Sequence, residues 1–206
     1  MSAPDDKGLE WNRRYQGADS LFGERPSALL TSHTDLLTPG MRVLSVADGE
    51  GRNGLWLAGL GLQVTSIDKS IDATQRARDR ANTLDLSIDI QCQDLFDWHW
   101  PTESFDATVC IFLHLPPGQR RRLFRHMQDS LKPGGLLFVE GYRSEQLGCN
   151  SGGPQDASLL YNHTELRQLA DHCDIMLSED ALTDVVVDGR HLGSGAVLHF
   201  VARKRP

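Results

Sequence analysis

The 206-residue sequence is short of cationic side chains, of closely spaced cysteines and of long apolar runs, and each shortage excludes something. Twenty-one Lys and Arg against 28 Asp and Glu leave a formal charge of -7, which opposes broad electrostatic binding to nucleic acid or to an anionic membrane, because phosphate contacts need clustered Lys and Arg. Two basic runs, one of Arg120, Arg121, Arg122 and Arg125 in a helix-patterned segment and one of Arg203, Lys204 and Arg205, read as solvated surface. Cys92, Cys110, Cys149 and Cys173 stand far apart with no CxxC pair, so neither a zinc site nor a dithiol redox site is expected; free thiols in a reducing cytoplasm are. The acidic, polar start has no apolar core of a signal peptide, and no uninterrupted apolar run is long enough for a bilayer. The expectation is a cytoplasmic protein with no membrane partner and no bound metal.

What is present has ordinary globular composition, 39% hydrophobic and 24% charged, enough for a sizeable core within one domain over residues 1–206. Runs rich in Val, Ile and Phe at 41–47, 62–67, 87–92, 105–113 and 135–140 alternate with helix-patterned segments at 51–60, 71–84 and 118–131. That rhythm predicts βαβ units, a mainly parallel sheet and helices on both faces. A fourth helix is expected after Tyr161, where Asn162 and Glu165 have capping-box spacing. The end of the chain breaks the rhythm: 176–187 and 196–202 are strand-like and separated only by the turn-prone 188–195, which predicts an antiparallel hairpin. Residues 1–40 are expected to pack over one end of a core spanning 41–206.

The segment VLSVADGEGRNG, residues 43–54, runs from a buried strand through a glycine turn into a helix, and Gly49, Gly51 and Gly54 spell GxGxxG. Such a match is weak alone. Asp68 strengthens it, ending the next strand where a carboxylate can accept both ribose hydroxyls of an adenosine cofactor. Asp48 and Glu50 sit in the turn itself. Two like charges about 4 Å apart repel by roughly 4 kcal/mol at an effective dielectric of 20, so carboxylates here oppose the pyrophosphate of NAD and suit a cation such as S-adenosylmethionine.

In motif order and spacing from about residue 9 onward, the chain resembles the class I S-adenosylmethionine-dependent methyltransferases, with their Rossmann-like, doubly wound, seven-stranded α/β sheet. QDLFDW at 93–98 resembles the acidic segment after the third strand, FDATVCIFLHL at 105–115 the fourth strand, and LKPGGLLFVEGY at 131–142 the turn into the fifth. WNRRYQGADSLFGERPS at 11–27 and GEGRN at 49–53 are similar to the branch that includes the tellurite-resistance methyltransferases of small molecules. The resemblance implies a cofactor site built from Ala47, Asp48, Gly49, Glu50, Gly51, Asn53, Asp68, Lys69 and Phe112, with Asp94 on the adenine amino group, the Leu95 backbone on the ring, and Trp11 and Tyr15 closing the pocket. The chain departs from the family in its first strand, where Ser45 replaces the usual acidic residue and Ala47 the usual first glycine. Asp48 is placed to substitute for the missing acid in ordering the loop.

Methyl transfer from a sulfonium needs mainly alignment in a dry pocket, which supplies roughly 7–11 kcal/mol of barrier lowering, and a base only where the acceptor must lose a proton. His114, after the fourth strand, either faces the transferred methyl or caps the turn before Pro116 and Pro117. His191, between the last two strands, is the second catalytic candidate by resemblance to the tellurite-resistance branch, with an exposed hairpin histidine as the alternative. Glu140 and Tyr142 close the fifth strand and are expected at the acceptor, as is Arg190, whose alternative is simple exposure. CNSGGP at 149–154 reads as a mobile loop over the site, and Trp98 and Trp100 as a partly buried loop or strand end. Two rival functions stay open from the residues: an NAD-dependent oxidoreductase, favoured by the literal GxGxxG, and a non-catalytic cofactor-binding or interaction protein, favoured by Ser45 and Ala47. The acceptor, beyond being a small molecule, and the oligomeric state are not encoded in any motif.

Overall fold

A computed structural model describes residues 6–16 and 20–206, with the side chains of residues 6–9 and of His191 outside the description. Alternating apolar residues make seven strands: β1 Arg42–Val46, β2 Gln63–Asp68, β3 Asp89–Cys92, β4 Phe105–Ile111, β5 Leu131–Tyr142, β6 Cys173–Val187 and β7 Arg190–Lys204. The helices are α1 Asp6–Gln16, α2 Ala28–Ser32, α3 Arg52–Gly59, α4 Ile71–Thr83, α5 Pro117–Ser130 and α6 His163–Leu169. The strands form one sheet in the order β3-β2-β1-β4-β5-β7-β6. Strands β1 to β5 run parallel to one another, and β7 runs antiparallel to both β5 and β6. Mainly parallel pairing, the terminal antiparallel pair and the winding of both halves match the fold class read from the sequence.

Period-two alternation divides the core. Leu44, Val46, Leu137, Val139, Leu198 and Phe200 face α5 and α6 through Leu123, Phe124, Met127 and Leu166. Val43, Val64, Val109, Phe138 and Val201 face the opposite side, against Leu29 and Leu30 of α2 and Leu57 of α3. Each such fully buried side chain stabilises the fold by about 1.5–3 kcal/mol. Local signals set the ends: Ser70 accepts from the backbone N of Ala73 to cap α4, Asn162 accepts from that of Glu165 to cap α6, and Pro117 opens α5. The winding reverses between β1, which leads outward to β2 and β3, and β4, which leads outward to β5. In open α/β sheets a ligand crevice lies outside the carboxyl ends of the strands at this point.

Two expectations change. The turn-prone 188–195 is mostly strand, because Asp188 (φ 51°) and Gly189 (φ 71°) alone make the reversal, the Asp-Gly turn whose left-handed residues match strand twist. Arg120 is not solvated surface: it is 1% exposed, while Arg121, Arg122 and Arg125 lie outside. It shares a helical stripe with Leu123, Phe124 and Met127, at the i, i+3, i+4 and i+7 spacing of a buried face. Among the described residues, no helix is long and apolar enough to cross a membrane.

Candidate active site

The β1–α3 loop turns through three left-handed residues, Ala47 (φ 50°), Gly49 (φ 58°) and Gly51 (φ 79°). Glycine adopts this conformation freely, whereas Ala47 holds it at a cost of about 1–2 kcal/mol. Gly49 is required twice over, since a Cβ there would lie 2.6 Å from the Tyr15 hydroxyl oxygen.

Asp48 turns beneath the loop. Its carboxylate accepts from the Ser45 hydroxyl at 2.8 Å, the Ser66 hydroxyl at 2.8 Å and the Gly54 backbone N at 3.1 Å, tying β1, β2 and α3 together. This is the loop-ordering substitution anticipated for the acid missing at Ser45. It also corrects the electrostatic argument: Asp48 spends its oxygens on the protein, and burial raises its pKa from 3.8 to about 6. Glu50 is committed as well, accepting from the Leu21 backbone N at 2.8 Å and pairing with Arg76 at 2.8 Å. Neither carboxylate is a free counter-charge for a sulfonium.

Asp68 ends β2 beside the loop. One oxygen accepts from the Gly49 backbone N at 2.9 Å, the other from that of Ser70 at 2.8 Å, and burial raises its pKa. Helix α1 lies across this edge, held by Asn12 to the Ser70 hydroxyl at 2.7 Å and by Gln16 to Asp72 at 3.1 Å. It presents Trp11 and Tyr15, whose rings are 6.0 Å apart, with Phe22 against both. Asp94 accepts from the Phe96 backbone N at 2.8 Å, and Leu95 is buried beneath. Asn53 accepts from the Ser27 backbone N at 2.9 Å, so it anchors the segment before α2 as well as lining the crevice.

These residues border one cavity of about 1270 Å³ at the carboxyl edge of β1, β4 and β5. Ala47, Asp48, Gly49, Glu50, Asn53, Asp68, Lys69, Asp94, Leu95 and Phe112 all line it, as do Trp11 and Tyr15; the cofactor candidate Gly51 does not. The far half is walled by His114, Glu140, Tyr142, Val185 and Leu192. Glu140 is 1% exposed; it accepts from the Ser27 hydroxyl and faces His199 Nε2 at 3.9 Å. Arg190 stands elsewhere, its side chain 80% exposed and paired with Asp188 at 3.7 Å, so it is removed from the acceptor site. The side chain of His191 lies outside the described residues, although its backbone belongs to β7.

His114 lines the cavity, but both ring nitrogens are engaged: Nδ1 with the Leu159 carbonyl at 2.9 Å and Nε2 with the Tyr142 backbone N at 3.2 Å. Nδ1 therefore carries the proton and Nε2 accepts, which leaves neither nitrogen to take a substrate proton. Neither the catalytic role nor the cap on the turn before Pro116 describes this residue: it braces β5 and segment 157–161 and stacks 5.5 Å from the Tyr142 ring. Burial lowers its pKa from 6.5 to about 4. The unfolded imidazole protonates first, so His114 contributes stability that is complete above pH 6.5 and is lost as pH falls toward 4. Asp48 acts in the opposite sense, its raised pKa making the fold more stable as pH falls through about 6. An NMR titration is expected to show the His114 ring neutral throughout pH 5–8; a midpoint near 6.5 would contradict the bonded, buried state.

Gln146 and Arg52 add to the residues expected at this edge. Gln146, wholly buried, donates to the Gly152 carbonyl at 2.7 Å and the Ser151 hydroxyl at 3.0 Å and accepts from the Ala196 backbone N at 2.7 Å. It thereby ties the 149–154 loop to β7, so that loop is pinned where a mobile cover was expected. No periodicity marks such a residue. Arg52 was visible in GEGRN, but nothing in the string says which way it points; it opens α3 and enters the cavity.

The family model described as "Methyltransferase domain" matches residues 43–135. The chain is 29% identical over 160 residues to phosphoethanolamine N-methyltransferase 1 of Arabidopsis thaliana, across 75% of this chain and 31% of that protein. It is 35% identical over 101 residues to a ubiquinone biosynthesis O-methyltransferase of Coxiella burnetii, across 48% of this chain and 42% of that protein. The chain thus spans well under half the length of these relatives. A SAM-dependent methyltransferase of Methanosarcina mazei shares the fold with a TM-score of 0.70 at 19% identity, over 84% of this chain and 97% of the other. The matched segment, just under half of the chain, contains the glycine loop, Asp68, Asp94 and the end of β4, and it sets the NAD reading aside: residues 43–135 are similar to a methyltransferase domain, and the chain shares its fold with S-adenosylmethionine-dependent methyltransferases.

Proposed function

We propose that this protein transfers the methyl group of S-adenosylmethionine to an oxygen or nitrogen of a small molecule held beside it in the same cavity. The observation that carries the reading is size joined to polarity. A volume of about 1270 Å³ exceeds the roughly 300–1,000 Å³ of a site for one drug-sized ligand, and its two ends differ in chemistry.

The residues at the β1–β2 end suit the adenosyl group. Each Asp68 oxygen keeps a lone pair after accepting from Gly49 or Ser70, so two ribose hydroxyls can be held without breaking the loop. Asp94 and the Leu95 backbone would take the adenine edge, while Trp11 and Tyr15 cover the site and exclude water. When bound, S-adenosylmethionine supplies an electrophilic methyl on a sulfonium. The other end, walled by Phe112, Tyr142 and Glu140, would orient the acceptor and keep it dry, where alignment is worth most. Glu140, buried on that wall, is the carboxylate placed to hold an acceptor hydroxyl or amine; His114 braces Tyr142.

Calorimetric titration with S-adenosylhomocysteine is expected to show stoichiometric binding, and the same titration with NADH none. Incubation of the protein and labelled methyl donor with a cell extract should then yield a labelled small molecule. Absence of S-adenosylhomocysteine binding would end this reading.

A further inference from the structure

Arg52 lines this cavity with no carboxylate partner among the described residues; of the other cations that line it, Arg25 is exposed and Lys69 follows Asp68 at the end of β2. The recorded hydrogen bond of Arg52 runs from Nη1 to the Arg25 carbonyl at 3.1 Å, and its guanidinium lies 5.6 Å above the Phe112 ring. Among the described residues, no carboxylate comes within the 4.0 Å of an ion pair with it. The other cations near this edge are differently placed: Arg76 is paired with Glu50, Arg80 with Glu24, and Arg14 rests 4.4 Å over Trp11 at an exposed position. Glu140, the acidic group felt most strongly by Arg52, accepts from Ser27 with one oxygen and turns the other toward His199 at 3.9 Å, and it makes no ion pair with Arg52. Burial lowers the Arg52 pKa, the sign of a guanidinium short of solvent.

A half-buried guanidinium with no carboxylate beside it keeps donors and charge available to a ligand, and its planar fork matches a carboxylate bidentately. The surface around it carries aromatic and aliphatic side chains. The Phe112 and Tyr142 rings stand 4.9 Å apart with a 55° interplanar angle, and Val185 and Leu192 line the same cavity. We infer that the acceptor is a carboxylate-bearing molecule with a flat apolar body, an aromatic acid, and that Arg52 is the specificity-determining residue that holds its carboxylate. The inference rests on the proposed methyl transfer for the meaning of "acceptor", but its test does not depend on turnover.

Two carboxylates can reach Arg52, the acceptor's and that of the cofactor's amino-acid tail, and the experiment separates them. Wild-type protein saturated with S-adenosylhomocysteine is titrated with benzoate and benzamide, 4-hydroxybenzoate and 4-hydroxybenzamide, and indole-3-acetate and indole-3-acetamide. In at least one pair the acid should bind about tenfold or more tightly than its amide, as one charge-assisted bidentate contact allows. Arg52→Gln should abolish that preference and Arg52→Lys should retain only part of it. Affinities of Arg52→Gln for S-adenosylhomocysteine and for 5′-methylthioadenosine, which lacks the tail, should stay within about threefold of wild type, under 1 kcal/mol; this also shows that the variant is folded. Acids and amides binding alike in every pair would overturn the inference. So would an Arg52→Gln variant that loses S-adenosylhomocysteine but keeps 5′-methylthioadenosine, because Arg52 would then serve the cofactor tail. Failure of the wild type to bind S-adenosylhomocysteine would instead count against the proposed function.

Discussion

Asp68→Asn is expected to weaken S-adenosylhomocysteine binding by about 100-fold, the largest effect on ligand binding of any single change at this site. Hydrogen bonds to a charged group contribute about 1.5–3 kcal/mol each, so even partial loss of two ribose contacts amounts to two factors of ten. Asparagine keeps the shape but replaces one oxygen by an NH2 group, and both carboxylate oxygens here already face backbone donors, on Gly49 and Ser70. Whichever way the amide turns, one N–H meets another N–H, so the glycine loop should loosen as well. Calorimetry reads the affinity, and the thermal midpoint separates loosening from unfolding. An affinity equal to wild type would reduce Asp68 to a brace between the loop and α4.

The same carboxylate marks how far the sequence could be read. β1, the glycine turn, α3 and the acid at the end of β2 are contiguous patterns, and their periodicity and spacing carried over to the fold. What the residues do once there depends on neighbours far along the chain. Asp48 has the composition of a counter-charge, but Ser45, Ser66 and Gly54 converge on it from three elements and turn it inward. His114 has the type and position of a base, yet its partners Leu159 and Tyr142 lie 45 and 28 residues away. Arg190 sits in a glycine-rich string that suggests a loop over the site, but the two-residue Asp-Gly turn carries it to the outside. Where function depends on backbone direction it was legible; where it depends on which lone pairs are already taken, only the packed structure decides.

Arg120→Ala should produce the largest loss of stability, about 3–5 kcal/mol, because it removes a buried cation and leaves the groups that it satisfies without their partner. The Arg120 side chain donates to the Leu160 carbonyl at 3.0 Å and to the Ser158 carbonyl, pairs with Glu165 at 3.1 Å, and lies 4.9 Å over the Tyr161 ring. Deleting it strands two carbonyls and a carboxylate and opens a cavity beside Phe124 and Tyr161. For a chain of this size such a loss lowers the thermal midpoint by roughly 6–20 °C. Arg120→Lys should recover part of it, since an ammonium can satisfy one carbonyl but not the planar arrangement.

The consequence reaches the acceptor wall. Segment 157–161, which Arg120 fastens, also supplies the Leu159 carbonyl to His114 and the Tyr161 hydroxyl to the Leu113 carbonyl at 2.6 Å. Loosening it should free His114 and let Tyr142 shift, while Asp68 and the glycine loop, on the other side of β1, keep their geometry. Arg120→Ala, assayed below its midpoint, should therefore bind S-adenosylhomocysteine within about threefold of wild type, under 1 kcal/mol, and lose affinity for the acid probes. Equal losses for both ligands would mean that the two ends of the cavity are one cooperative unit and not separately supported.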